Sequence, residues 1–170
     1  SSKASQSPAS VSYDAESGTT AFDVRFDEDT ELTGFFKLRL WVEARGSNDA
    51  DIFVAIQKAD ADGAMIPTLV VGQPHPGAQG LLRASQRELD ETLSTESEPV
   101  QKHASEQLLG PGEIVPLDIP IWPTSRFFRA GERLRVLVSG HYTRDRAWLE
   151  PLYWETRNKG EHVIHTGGAY

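Results

Sequence analysis

The residues of this chain that could do chemistry are its serines, five histidines, carboxylates and aromatic rings. A serine nucleophile on an α/β-hydrolase scaffold needs a Gly-x-Ser-x-Gly elbow, which holds the hydroxyl on a strained strand-to-helix turn. No such pentapeptide occurs. A triad assembled only by folding stays open at this point, because triads are recognised by geometry and not by order in the chain. Without cysteine there is no thiol nucleophile, thiolate metal site or disulfide. His162 and His165 stand three apart in a stretch that reads as a strand. Alternation turns them to opposite faces, so they do not chelate one metal as a helical i, i+4 pair would. One is expected to be buried and hydrogen-bonded and the other exposed. His75, His103 and His141 fall in loops or at strand ends, with nothing to connect them.

Asp60-x-Asp62-Gly63 looks like a fragment of a calcium loop. Lys58 stands two residues before Asp60, however, and Leu69 takes the place of the closing glutamate, so the pattern fails. A hairpin turn accounts for it better. Asp49 and Asp51 are expected to accept hydrogen bonds from backbone amides where a strand begins. No catalytic residue, metal site or cofactor is assigned to this chain.

Trp41, Trp122, Trp148 and Trp154, with Tyr142 and Tyr153, are the remaining candidates. They could make a sugar-stacking platform, as in a stand-alone carbohydrate- or ligand-binding module. Trp41 and Trp122 belong to strands and are expected to cover a sheet face. Tyr142, Trp148, Tyr153 and Trp154 lie in a loop-like stretch and are read as an interface patch.

These residues must be positioned by strands, because period-two alternation dominates the chain. Phe22, Val24 and Phe26 share one face of a strand over 21–26. Phe36, Leu38, Leu40 and Val42 point inward from a strand over 35–43. Ile52 to Ile56 is apolar on both faces and reads as a central strand. Val115, Leu117, Ile119 and Ile121 alternate with Pro116 and Pro120, which predicts an edge strand or one carrying a bulge. Leu134, Val136 and Val138 point inward from another strand, and Glu161 to Thr166 is a short last one. Two stretches, 84–93 and 100–109, could each form a helical turn or two. Met65 to Gly80, with three prolines and three glycines, reads as a long loop. Many strands, long loops and no βαβ alternation give an all-β fold, an antiparallel β-sandwich, most simply a jelly roll.

The chain's 170 residues suffice for one such domain. Residues 1–10 are small and polar and read as a flexible tail or linker, leaving 11–170 as the sandwich. Seventeen Lys and Arg against 25 Asp and Glu give a net charge of -8, which argues against nucleic acid as a partner. No apolar run approaches the ~20 residues needed to span a bilayer, so no membrane partner is expected. The polar N-terminal segment is not a signal peptide, and together with the absence of cysteine this favours a cytoplasmic setting.

Longer runs carry a family likeness. They are ELTGFFKLRLWVEA (31–44), DADIFVAI (49–56), GLLRASQRELD (80–90), PGEIVPLDIPIWPTS (111–125), FRAGERLRVLVSG (128–140) and RNKGEHVIHTGG (157–168). In order and spacing the chain from Phe22 to Tyr170 resembles the C-terminal, non-catalytic domain of the CocE/NonD hydrolases and X-prolyl dipeptidyl-peptidases. The resemblance implies a jelly roll of galactose-binding-like type. It follows an α/β-hydrolase domain of the same parent protein, packs beside it and helps to wall its substrate pocket. That neighbour would hold a Ser-Asp-His triad and cleave acyl esters, α-amino acid esters or peptides with proline second. No triad residue carries over to this chain, which is expected to be inert alone. Family chains usually run a little past HTGG, so the end at Tyr170 reads as a truncation or an excised domain. Homo-oligomerisation through the parent stays open, as does a purely structural role.

Overall fold

The computed structural model describes residues 7–70, 72–143 and 155–170. Among these it has eleven strands: β1 (Ala9–Asp14), β2 (Thr19–Arg25), β3 (Thr30–Arg45), β4 (Asp51–Ala59), β5 (Met65–Ile66), β6 (Thr68–Val70), β7 (Gln73–His75), β8 (Ala78–Arg83), β9 (Ile114–Phe128), β10 (Arg133–Ser139) and β11 (Glu161–Thr166). The main sheet runs β1-β11-β3-β9-β8-β4-β10-β2, with β5 added to β4, and β6-β7 forms a separate hairpin. Every pairing in the main sheet is antiparallel between β1 and β9 and between β8 and β2.

The two halves of this sheet meet at one point, Gly80 opposite Ile121. There the ribbon folds over into two layers, β1-β11-β3-β9 and β8-β4-β10-β2, giving the β-sandwich of jelly-roll form. Gly80 is required for this crossing: a Cβ on it would lie 2.4 Å from the Pro120 carbonyl oxygen. Between the layers lie Leu40 and Val42 of β3, Ile52, Val54 and Ile56 of β4, Leu82 of β8, Leu117, Ile119 and Ile121 of β9, Val138 of β10 and Ile164 of β11. Burying each such side chain contributes roughly 1.5–3 kcal/mol. The inward sets expected from alternation on β3, β9 and β10, and the Ile52, Val54 and Ile56 phase of β4, all face this core, with Phe36, Leu38, Leu134 and Val136 only partly buried.

Several expectations need correction. β1 begins at Ala9, which pairs with Thr166, so the last two residues of the segment read as a tail lie in the sheet. The stretch read as a loop over 65–80 contains β5, β6, β7 and the start of β8. Of the two stretches that could be helical, the first makes one 3-10 turn, Ala84–Gln86, and the second makes no helix. The reason is competition for amides. Asp90 Oδ1 accepts from the amides of Thr92 and Leu93, while the amides of Gln107 and Leu109 go to the distant carbonyls of Ser85 and Asn48.

β9 lies inside the strand order, not at its edge, yet its prolines break no ladder. Pro116, Asp118 and Pro120 share one lateral direction. The Asp118 carbonyl accepts from Gln101 Nε2 at 3.0 Å and the Pro120 carbonyl faces Gly80, so this side points away from β3. The expected bulge is present: the β3–β9 register shifts between Gly34 and Phe36, with Trp122 and Pro123 opposite Phe35.

Candidate functional site

The densest polar constellation sits at one end of the sandwich. β4 starts there, and Asp49 and Asp51 flank that start on alternate sides of Ala50. Asp49 Oδ1 accepts from the amides of Ala50 (3.0 Å) and Ser85 (2.9 Å). Its Oδ2 accepts from Ser85 Oγ (2.8 Å) and Arg157 Nη1 (3.3 Å). Asp51 takes a bidentate contact from Arg83, at 2.7 and 3.0 Å, and a third from the Arg157 amide at 2.7 Å. The two aspartates thus bond to backbone amides as the sequence predicts, and each also gains an arginine that sequence did not reveal.

Asn158 completes the knot. Its Oδ1 accepts from the Asp51 amide, and its Nδ2 donates to the carbonyls of Asp51 (2.9 Å) and Gly140 (2.6 Å). The side chain thereby acts as one more rung of backbone beside β4. Gly140 lets the chain come this close, since a Cβ on it would overlap the Ala15 carbonyl oxygen at 1.7 Å. Arg157 reaches outward to Glu106 at 2.9 Å. Asp49, Asp51, Ser85 and Asn158 are all buried. Chemically the knot is closed: both carboxylates are saturated, and the Ser85 hydroxyl is spent on Asp49, so neither base nor nucleophile is free to act. An open groove of about 940 Å³ runs beside it, lined by Arg45, Ser47, Asn48, Leu109, Pro111 and Arg157 among others. Two of its polar side chains are engaged, Arg45 with Glu43 and Ser47 Oγ with the Arg157 carbonyl.

The two histidines of β11 do face opposite ways. His162 is fully buried, with Nδ1 3.2 Å from the Tyr13 hydroxyl and Nε2 without a partner among the described residues. Desolvation lowers its pKa to about 4 and holds the ring neutral, and burial likewise raises the Tyr13 phenol. The other histidine, His165, is not exposed as expected but mostly covered. Its Nε2 lies 2.9 Å from Glu43 Oε2, and Tyr170 folds back over both it and Trp41. The hydrogen bond from Arg45, ahead of that from His165, holds the Glu43 carboxyl below its ordinary range against desolvation. His75, His103 and His141 are not brought together: their Nδ1 atoms lie near the Gly77 amide, Gln86 Oε1 and the Tyr142 carbonyl respectively. Asp60 does make the turn, accepting from the amides of Asp62 and Ala64. Among the described residues no group of three or more metal-ligating side chains converges.

A family model, the X-Pro dipeptidyl-peptidase C-terminal non-catalytic domain, matches residues 2–170. The chain belongs to this family. As a member of the non-catalytic domain family it is also similar to solved CocE/NonD family hydrolase structures. In two structures of such a hydrolase from Staphylococcus aureus, the match has 36% and 37% identity and TM-scores of 0.89 and 0.87. Each time it covers 99% of this chain and 32% of that one. The chain thus spans about a third of the length of these relatives. An aminopeptidase from the marine sediment archaeon Thaumarchaeota archaeon shares the fold at 18% identity and a TM-score of 0.54, over 89% of this chain and 24% of its own. No curated protein matches. The family motifs fall where the polar knot is tied: DADI supplies Asp49 and Asp51, LLRAS supplies Arg83 and Ser85, and RNKG supplies Arg157 and Asn158.

The aromatic candidates separate. Trp41 lies under Tyr170 on the outer face of β3. Trp122 stands 66% exposed on the outer face of β9, beside Phe35 on β3. Tyr142 sits on the opposite outer face, edge-on to Phe53 at 6.0 Å and donating to Gln79 Oε1 at 3.0 Å. Trp148, Tyr153 and Trp154 lie outside the described residues. Alternation puts Phe35 on the partly wet side of its strand, whereas Phe127 is not singled out by the sequence. The signal available was their outward phase on strands whose other phase is continuous core.

Proposed function

We propose that this chain is the accessory C-terminal domain of a serine hydrolase that cleaves esters, amides or Xaa-Pro dipeptides. In this reading it packs on the α/β-hydrolase domain of the same parent, helps to shape its substrate pocket, and is inert alone. One observation carries it: a non-catalytic family model spans the chain, while a CocE/NonD hydrolase 36% identical to it is about three times as long. The chemistry is consistent, since the buried serine at the polar knot serves a carboxylate and not a histidine. From sequence the contact is read on Tyr142, Trp148, Tyr153 and Trp154, the last three outside the described residues; among the described residues the outer face of β3 and β9 carries exposed rings.

The test is to assay the purified chain beside its full-length parent on p-nitrophenyl esters and Xaa-Pro-p-nitroanilides. The parent is expected to turn over at least one of these and the chain alone none. Turnover by the chain alone that persists through repurification would overturn the reading.

A further inference from the structure

We propose that the catalytic domain of the parent covers the outer face of β3 and β9, through a stripe formed by Phe35, Trp122 and Phe127. This rests on the accessory-domain reading above and names its docking surface.

Alternation places Glu31, Thr33, Phe35, Lys37, Arg39 and Trp41 on the outer side of β3, because Phe36, Leu38, Leu40 and Val42 point into the core. Register adds Phe127 opposite Glu31, Ser125 opposite Thr33, Pro120 opposite Lys37 and Asp118 opposite Arg39. The bulge puts Trp122 and Pro123 against Phe35 and re-aims the rings outward. Trp122 is 66% exposed, Phe35 51% and Phe127 49%. Isolated exposed apolar residues are ordinary, but three large rings along one sheet face form a patch of the kind that marks a contact.

Four of the polar groups on this face are already partnered within it. Arg39 grips Asp118 with two hydrogen bonds, at 2.7 and 2.6 Å, and the Thr33 and Ser125 hydroxyls meet at 2.8 Å. Covering them strands few hydrogen-bonding groups, which is the usual cost of burying a polar rim. The opposite outer face differs. There Phe53 is only 6% exposed, Ala55 is fully buried, and the Tyr142 hydroxyl is committed to Gln79. The occupant follows from length: about two thirds of the 36%-identical relative lies outside the match, a body large enough to sit on a sheet face.

The experiment places single cysteines in the full-length parent, after replacing its other thiols, at Phe35→Cys, Trp122→Cys and Phe127→Cys. Leu93→Cys serves as a reference, since Leu93 is 63% exposed and lies off this face. Each variant is labelled with a bulky maleimide, and ester turnover is measured on the same samples. The expected result is labelling at 35, 122 and 127 at least tenfold slower than at 93, at every protein concentration. Equal rates at all four positions would overturn the proposal. Protection that appears only as concentration rises would assign the face to a second copy and overturn it too. Protection relieved by soluble glycans would assign it to sugar, with the same consequence. Turnover reports separately on the underlying reading: an active parent with unprotected thiols sinks the surface and keeps the reading, while protected thiols on an inactive parent do the reverse.

Discussion

At the Asp51 end of the sandwich, four polar residues lie out of solvent, each with its hydrogen-bonding groups matched inside the domain. On the outer face of β3 and β9, three large apolar side chains stand in solvent. Both regions contain long motif-like runs of sequence, and both draw on residues that could signal function. The difference lies in completion. A buried polar group that is fully paired holds segments together, and its energy is realised within the fold. An exposed aromatic ring contributes little to the isolated domain, and its energy is realised only when another surface covers it. Residue type alone therefore misleads. Two aspartates beside a serine look like chemistry and are structure, whereas rings on a strand look like core and are surface.

This contrast can be broken most sharply at Asp51. Replacing it with alanine leaves Arg83 and the Arg157 amide without their acceptor in a buried site. We expect a loss of about 3–5 kcal/mol in urea unfolding, the usual penalty for stranding one partner of a buried pair. A loss under ~1 kcal/mol would mean that the knot is not what joins β4, β8 and the segment before β11.

The next effect concerns the buried ring of His162. The pKa of His162 is about 4 in the fold against an ordinary 6.5, so the unfolded chain takes up the proton first. Its contribution is therefore complete above pH 6.5 and is lost as pH falls through 4, amounting to roughly 3 kcal/mol. Urea midpoints from pH 7 to 4 should fall more steeply for the native chain than for His162→Phe, which has no proton to gain. Parallel curves would show that the ring titrates in contact with water.

The smallest effect is the one that sharpens the comparison. Trp122→Ser should change the stability of the isolated domain by no more than ~0.5 kcal/mol, as expected for a surface position. Thermal unfolding would check it, and a loss of 2 kcal/mol or more would make the ring part of the domain's own structure.

Much of the fold was legible. Strict alternation on Phe36–Val42 and Leu134–Val138, and the doubly apolar run Ile52–Ile56, announced β3, β10 and a central β4. β1 was not legible, because only Val11 and Tyr13 offer an apolar phase and a two-residue signal is weak. β8 was hidden inside a Pro- and Gly-rich stretch, though its Leu82 is core. Of the two stretches that could be helical, 84–93 keeps a single 3-10 turn and 100–109 none, because the Asp90 carboxylate and carbonyls distant in sequence take amides that longer helices would use.

The candidate site divides in the same way. Alternation sent His162 and His165 to opposite faces, but only the packed sheet put Glu43 beside His165 and Tyr170 over it. Capping chemistry foretold that Asp49 and Asp51 would bond to amides; it could not foretell Arg157 and Asn158, which lie more than a hundred residues away.

By itself, then, the sequence determined the phase of each strand and the chemistry of each turn, since both are set by neighbours along the chain. Only the tertiary structure decided which polar groups are satisfied and which rings are left bare. Those outcomes depend on long-range register, the Gly80 crossing and the bulge opposite Phe35, where segments distant in sequence meet.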